Sequence, residues 1–479
     1  MGTDNQGKYK RLGINTLFTF IGNVGPQFVS FLLVPFYTYW LTKEDFGIQD
    51  IILTYIVFVI PYLSLGLYEA VFLFPKDKPL EEQRKYFTTA INTVTVIIAA
   101  FVVIWYLLPT SVHDIVLPDR MRDYEICLVI ALISGPYQRI MQYFARSIDK
   151  MTVYSITGVI HALIVLVISL TVVPHYGLVG FFVSFLTAQI ISTIYTFVGV
   201  KGWKYYKASE TNKIILQSML KYSLPLVPNA TMWWVVNSIN RPIMLKTVGL
   251  EEVGIYSVAG KFPAIVNILF TVFFSALQIS VIEEFGKKNY STFYNNVFRV
   301  IFICLLSIVF FFVLLGDWVF EILVDEKFHV ATYYVPLLCF GAVIGSLSAY
   351  VGSTFTVLKK TIYFLYSSIL AAFVALVANL LLIPRLGLIG ACLAICLSQL
   401  SMFLYRWYKS AKYVNFEKGL RVSCITIIVI ATLLCYYVMT NSSYKIVLLL
   451  LLFASFILCN LDLLKMTKGA MLAFRNKKK

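Results

Sequence analysis

The sequence predicts an all-α polytopic membrane protein of about fourteen transmembrane helices. They form two six-helix bundles related by a parallel pseudo-two-fold repeat, followed by two additional helices at the C-terminal end. Composition, recurring apolar runs and an internal duplication predict this. Of 479 residues, 59% are hydrophobic and 13% charged, and the mean hydropathy is +0.81. A soluble protein carries roughly twice that charged fraction. Apolar runs of about twenty residues, the length a bilayer demands, recur from Leu12 to Leu464. They leave no room for a soluble domain.

The duplication is explicit. PFYTYWLTKEDFGIQ begins at Pro35 and PIMLKTVGLEEVGIY at Pro242. The prolines, the acidic pairs (Glu44-Asp45, Glu251-Glu252) and Gly-Ile (47–48, 254–255) align at one offset of 207 residues. PHYGLVG from Pro174 and PRLGLIG from Pro384 echo each other at an offset of 210, which Gln189 and Gln399 keep. Two echoes at nearly one offset mark a duplicated half of about two hundred residues, the plan of a transporter built as two bundles around a central path.

The spans lie near 12–41, 47–74, 86–108, 123–145, 151–173, 177–200, 217–247, 252–282, 294–316, 330–357, 361–383, 387–408, 421–439 and 444–464. Thirty of the forty Lys and Arg residues fall on one face of this arrangement and seven on the other. By the positive-inside rule both termini are cytoplasmic. An even number of spans separates the copies, so they share one orientation. The expected organisation is therefore a first bundle over 1–200, a basic cytoplasmic linker over 201–221 lying at the interface, and a second bundle over 222–410. Residues 411–479 hold the two extra helices and a basic tail.

The net charge of +16 is thus a topology signal with anionic-lipid contact added, and nucleic acid is excluded as a partner. The first apolar run carries Asn15, Asn23, Gly25 and Pro26 and lacks a small-x-small site, unlike a cleaved signal. All eight cysteines lie in apolar runs, as small hydrophobes do. No HExxH, nucleophile elbow or phosphate loop occurs, and the four histidines are scattered. The chain reads as a non-enzyme without cofactor or metal.

Ionisable residues inside spans are costly and usually face a cavity or a partner. Arg139 in span four, Arg241 in span seven and Lys261 in span eight qualify, as does Glu69 in span two, with Asp50 nearer the outer surface. Thr16, Thr19, Asn23, Gln27 and Ser30 form a polar stripe along span one. The repeat offset carries it onto Ser223, Leu226, Ala230, Trp234 and Asn237, and Arg241 extends it by one turn. Facing one another, the stripes would line a hydrophilic cleft for sugars, with Asn23, Gln27, Trp234 and Asn237 as its polar and aromatic contacts. Interhelical hydrogen bonding in a packed bundle also accommodates them.

Arg241 and Lys261 lie at similar depth with no acid nearby to neutralise both, which implies an anionic ligand such as phosphate or pyrophosphate. Snorkelling towards the outer headgroups is the alternative use of Lys261. Arg139 and Glu69, near the inner ends of their spans, read as a gate or clamp, or Glu69 and Asp50 as ion-coupling or gate residues. Pro and Gly residues interrupt spans one, two, four and seven, as hinged transporter helices require.

Lys221-Tyr-Ser-Leu-Pro-Leu-Val-Pro-Asn229 with Trp233-Trp234, and Val253-Gly-Ile-Tyr-Ser-Val-Ala-Gly-Lys261, resemble the start of the second half in bacterial polysaccharide repeat-unit flippases. Pro35-Phe-Tyr-Thr, Glu44-Asp-Phe-Gly-Ile48 and Arg146-Ser-Ile-Asp-Lys150 are similar to the same family's opening and fourth-span exit. These are the O-antigen and capsule translocases of the multidrug/oligosaccharidyl-lipid/polysaccharide exporter superfamily. The resemblance covers almost the whole chain through loose motifs. It implies a V-shaped pair of bundles in the bacterial cytoplasmic membrane. By alternating access they carry an undecaprenyl-pyrophosphate-linked oligosaccharide to the outer leaflet. It also implies a cationic cavity mapping onto Arg241, Lys261 and Arg139. The partners would be the lipid-linked oligosaccharide, membrane lipids and polysaccharide polymerase or assembly proteins, with the chain acting as a monomer. A multidrug or small-organic-cation exporter is the alternative transporter, predicting acids in the cleft; a glycan polymerase or ligase is the enzyme alternative.

Overall fold

The computed structural model describes residues 25–284, 290–358, 360, 362–416, 420–438 and 444–459. The protein is all-α and polytopic: helices occupy the described part of each of the fourteen predicted segments, and no strand occurs among the described residues. Among the described residues seven helices are long and apolar enough to cross a membrane, two of them of double length, Met151–Val200 and Ile362–Ser410. Packing divides the chain between Val258 and Ala259 into two compact units. Span seven and the start of span eight therefore pack with the first six, so duplication and packing divide the chain at different places.

The double-length helices show the repeat in the backbone. Each is a helical hairpin, spans five-six and eleven-twelve, reversing at a glycine with positive φ: Gly177 (φ 52°, ψ −129°) and Gly387 (φ 57°, ψ −133°). A Cβ at either would meet no atom within 4 Å, so the backbone conformation, rather than space, calls for glycine. Three residues on, space decides. A Cβ at Gly180 would lie 2.8 Å from Val173 Cα, and one at Gly390 would lie 2.3 Å from the Leu382 carbonyl oxygen.

Polar groups close these hairpins. Ser169 Oγ donates to Ser184 Oγ (3.1 Å), and the Thr157 and Thr196 hydroxyls bond each other (2.8 Å). Lys150 Nζ donates to the Gly199 carbonyl (3.3 Å). In the second copy Ser367 and Arg406 stand where the offset of 210 places Thr157 and Thr196, and Arg406 Nε donates to Ser367 Oγ (3.0 Å).

In the first unit, span two begins at Lys43 behind a capping box: Thr42 Oγ1 accepts from Asp45 N (3.1 Å) and Asp45 Oδ2 from Thr42 N (3.0 Å). It runs to Leu63, breaks at Leu65 (φ 48°) and Gly66 (φ 64°), and resumes over Leu67–Leu73. The expected interruption of span two is therefore present, whereas span four is one helix, Glu125–Ser147, through Pro136. Leu67, Val71, Phe87, Ile140, Phe144 and Met219 form a buried core joining spans two, three and four to the helix Lys213–Ser223. Lipid solvates apolar side chains as well as a core does, so such packing rests on close fit and on internal hydrogen bonds.

In the second unit, spans nine and ten are joined by a reciprocal pair: Tyr294 Oη donates to the Tyr350 carbonyl (3.1 Å) and Tyr350 Oη to that of Tyr294 (3.0 Å). Arg406, 2% exposed, reaches from span twelve to the Ser348 carbonyl of span ten (3.1 Å). The helices Leu420–Val438 and Tyr444–Cys459 pack on each other and on span nine, where Phe310 meets Phe453 and Phe456.

Candidate functional site

The two copies of the acidic-x-Gly-Ile turn touch each other within the first unit. A Cβ at Gly47 would lie 2.2 Å from the Leu250 carbonyl oxygen, and one at Gly254 would lie 1.9 Å from that of Lys43. The offset of 207 maps Lys43 onto Leu250 and Gly47 onto Gly254, so the contact is reciprocal, as at a two-fold axis. Only glycine lets the helix starts approach so closely. Arg120 braces the first copy, bonding Glu44 (2.6 Å) and standing 3.6 Å from Asp45.

One turn further along lies a charged knot. Arg241 Nε donates to Asp50 Oδ2 (3.1 Å), with both side chains 17% exposed. Its Nη1 donates to Asn240 Oδ1 (3.0 Å) and the Asn237 carbonyl, and the guanidinium lies over the Tyr256 ring (5.2 Å). Asn240 Nδ2 donates to Tyr256 Oη (2.6 Å), and both residues are fully buried. Contrary to the expectation of an uncompensated cation, Arg241 has a carboxylate. Asp50 lies three residues beyond Gly47 on the helix that the glycine contact brings against the start of span eight, which follows span seven in the chain. A buried charge is retained in such a place because it is paired and hydrogen-bonded.

Span seven lies along span two below this point. Trp234 Nε1 donates to the Thr54 carbonyl (2.9 Å) and its ring packs on Phe58 (4.5 Å). Tyr62 Oη and Thr231 Oγ1 bond at 2.6 Å, and Ser223 Oγ donates to the Leu65 carbonyl (2.8 Å). Trp234 is thus turned onto span two, while Asn237 is exposed with its amide on the Trp233 carbonyl (2.8 Å). On span one Gln27 and Ser30 are exposed; Asn23, Thr16 and Thr19 lie outside the described residues. Lys261 lies in the second unit, partly buried, at the break between the helices Leu250–Ala259 and Pro263–Glu284.

At the other end of spans two and four, Glu69 lies beside Tyr143 and feels the charges of Arg146 and Arg139. Arg139 lies over the Tyr68 ring (5.4 Å), and Arg146 is enclosed by Phe72, Tyr143 and Tyr154. Glu69 therefore sits among two guanidinium groups and a tyrosine rather than with Arg139 alone. The linker is latched to one stripe of span three. Arg84 bonds the Lys204 carbonyl (3.1 Å), Thr88 the Tyr205 carbonyl (3.1 Å), and Asn92 the Ala208 carbonyl (3.2 Å) and Thr211 (2.6 Å). Within it, the Lys207 hydrogen bond, helped by Arg84, holds the Glu210 carboxyl below its usual range.

Asn240 and Tyr256 were not legible as site residues. Asn240 falls outside the stripe, and Tyr256 looks like any aromatic residue in an apolar run.

A helical fold of this kind, with charged groups held inside its spans, defines a polytopic membrane transporter architecture. The lipid II flippase MurJ in an inward closed conformation superposes with a TM-score of 0.67 at 15% identity, covering 94% of this chain and 99% of that one. An inward-facing multidrug resistance MATE family transporter of the MOP superfamily gives 0.64 at 12% identity, covering 83% and 95%. In sequence, capsular polysaccharide biosynthesis protein CapF of Staphylococcus aureus is 22% identical over 415 residues, covering 82% of this chain and 98% of the relative. The family model described as polysaccharide biosynthesis protein matches residues 12–279, more than half of the chain, and the chain belongs to that family.

Proposed function

We propose that the protein is a flippase that carries an undecaprenyl-pyrophosphate-linked oligosaccharide from the cytoplasmic to the outer leaflet of a bacterial cytoplasmic membrane by alternating access. The observation that carries this reading is the Arg241–Asp50 knot set one turn from the reciprocal glycine contact. In this reading the glycine contact is the closed outer end, and Asp50 stands in for the anionic ligand on Arg241 until the pyrophosphate competes for the guanidinium. Arg139 and Lys261 supply further cationic contacts, and Asn23, Gln27, Trp234 and Asn237 supply polar and aromatic contacts to sugar. Glu69 acts as an inner clamp. Both termini are cytoplasmic, the two repeats are the moving bundles, and polymerase or assembly proteins receive the product.

An exporter of organic cations would need a carboxylate without a cationic neighbour, whereas Asp50 pairs with Arg241 and Glu69 lies near Arg146 and Arg139. The inside-negative potential favours outward movement of the pyrophosphate by about 2.3 kcal/mol per charge per 100 mV, so the reading needs no ion partner. The test is Arg241→Ala in a host that displays the glycan. Display is expected to fall at least tenfold with the protein at normal level in the membrane; undiminished display refutes the anion site.

A further inference from the structure

A second site lies in the first unit, away from the charged knot. A cavity of about 290 Å³ is lined by Gln138 and Gln142 of span four, Tyr154 and His161 of span five, Pro26 of span one and Phe185 of span six. Gln138 and Gln142 are four residues apart and Tyr154 and His161 seven, so each pair projects from one face of its helix.

Their hydrogen-bonding capacity is incompletely used. Gln138 Nε2 donates to Ser192 Oγ (3.0 Å), which leaves its carbonyl oxygen for the cavity. The Gln142 amide makes no hydrogen bond among the described residues. The buried Nδ1 of His161 has no partner among the described residues. That ring nitrogen can donate or accept according to the tautomer. An unpartnered buried ring nitrogen is costly within a membrane helix pair, and the Gln142 amide beside it is free to complete its hydrogen bonds with whatever fills the cavity.

The chemistry of the lining selects the ligand. No Asp, Glu, Lys or Arg lines the cavity, which disfavours an ion of either sign. Amide and imidazole groups offer both donors and acceptors to hydroxyls, and the Phe185 ring offers a flat apolar face to C–H groups. The volume is near the lower end for small-molecule sites, about 300 Å³, which suits one ring rather than a lipid tail or a fused polycyclic compound.

We infer that this cavity is a subsite for a single neutral sugar ring, recognised by Gln138, Gln142 and His161 and separate from the Arg241 anion site. This rests on the lipid-linked glycan reading above and assigns a sugar contact to the first unit alone.

The test uses the full-length protein in lipid nanodiscs. Saturation-transfer NMR is run at millimolar concentration with glucose, galactose, mannose, N-acetylglucosamine and N-acetylgalactosamine. At least one is expected to bind the wild type and to lose at least tenfold in signal in Gln142→Leu and in His161→Phe. Undecaprenyl pyrophosphate should bind those variants as it binds the wild type. Independently, thiosulfonate modification of Gln142→Cys should slow at least threefold with the bound sugar present. Silence of the whole panel with wild type overturns the inference, as does equal binding by both variants or a thiol that the sugar leaves unprotected in Gln142→Cys. Failure of undecaprenyl pyrophosphate to bind wild type would instead sink the flippase reading, so the two failures are distinct.

Discussion

Gly254→Ala tests the reciprocal contact directly. The added Cβ would sit 1.9 Å from the Lys43 carbonyl oxygen, 2.8 Å from its carbon and 3.2 Å from Gly47 N. Ordinary contact begins near 3.4 Å, so about 1.5 Å of separation is needed. Every atom met is backbone, and no side chain can swing aside to supply it. The Arg241–Asp50 bond, already 3.1 Å long, lies one turn away and would stretch with the helices. Overpacking of this kind costs roughly 1–3 kcal/mol, which moves a two-state equilibrium about 5- to 150-fold towards the form without the contact. The assay is modification of Ile48→Cys, a fully buried position on the same helix start, by a membrane-impermeant thiosulfonate on intact cells. The rate is expected to rise at least fivefold when Gly254→Ala is added, read against a chain with only its native cysteines. Gly25→Ala, whose Cβ would meet nothing within 4 Å, serves as the control. An unchanged rate in Gly254→Ala would refute the reasoning.

Asp50→Asn leaves Arg241 without its carboxylate and should lower thermal stability by about 3 kcal/mol, the lower end for a broken buried pair, because both groups keep some exposure. The exchange Asp50→Arg with Arg241→Asp should regain stability without regaining glycan display; recovery of both would show that the charge arrangement is purely structural. Gly177→Ala and Gly387→Ala should each cost about 1–3 kcal/mol through backbone strain alone, additively in the double variant, when unfolding is followed in detergent. A variant as stable as the wild type would show that the hairpin turns are not held in that conformation.

Much of the fold was legible because its cues are local. PHYGLVG and PRLGLIG announce a turn that each copy repeats, and the backbone at Gly177 and Gly387 agrees within a few degrees. The site was less legible because its partners are distant. Asp50 and Arg241 are 191 residues apart, and nothing in either local sequence matches one to the other. The glycines of the duplicated turn could be read as evidence of descent, yet their physical reason is an approach of two backbones that only tertiary structure reveals. A usable cue existed: when most of those fifteen positions diverged between copies, Gly-Ile did not. The cavity around His161 gave no cue, since single polar residues in apolar runs have no period.

The two helical hairpins differ in what they need when they enter the bilayer. In spans five and six, Ser169 and Ser184, and likewise Thr157 and Thr196, satisfy one another within fifty residues of chain. That hairpin can be inserted with those hydroxyls already matched. The later hairpin carries Arg406, whose guanidinium takes Ser367 from its own partner but also the Ser348 carbonyl of span ten. It brings a charge that its own two helices do not fully accommodate, so span ten must be in place to receive it. The order of synthesis meets that need, because span ten leaves the ribosome first. Gln189 of the first hairpin likewise reaches the Ala131 carbonyl of span four. The duplicated halves thus share a shape and differ in that the second adds a buried charge to what an earlier span must receive.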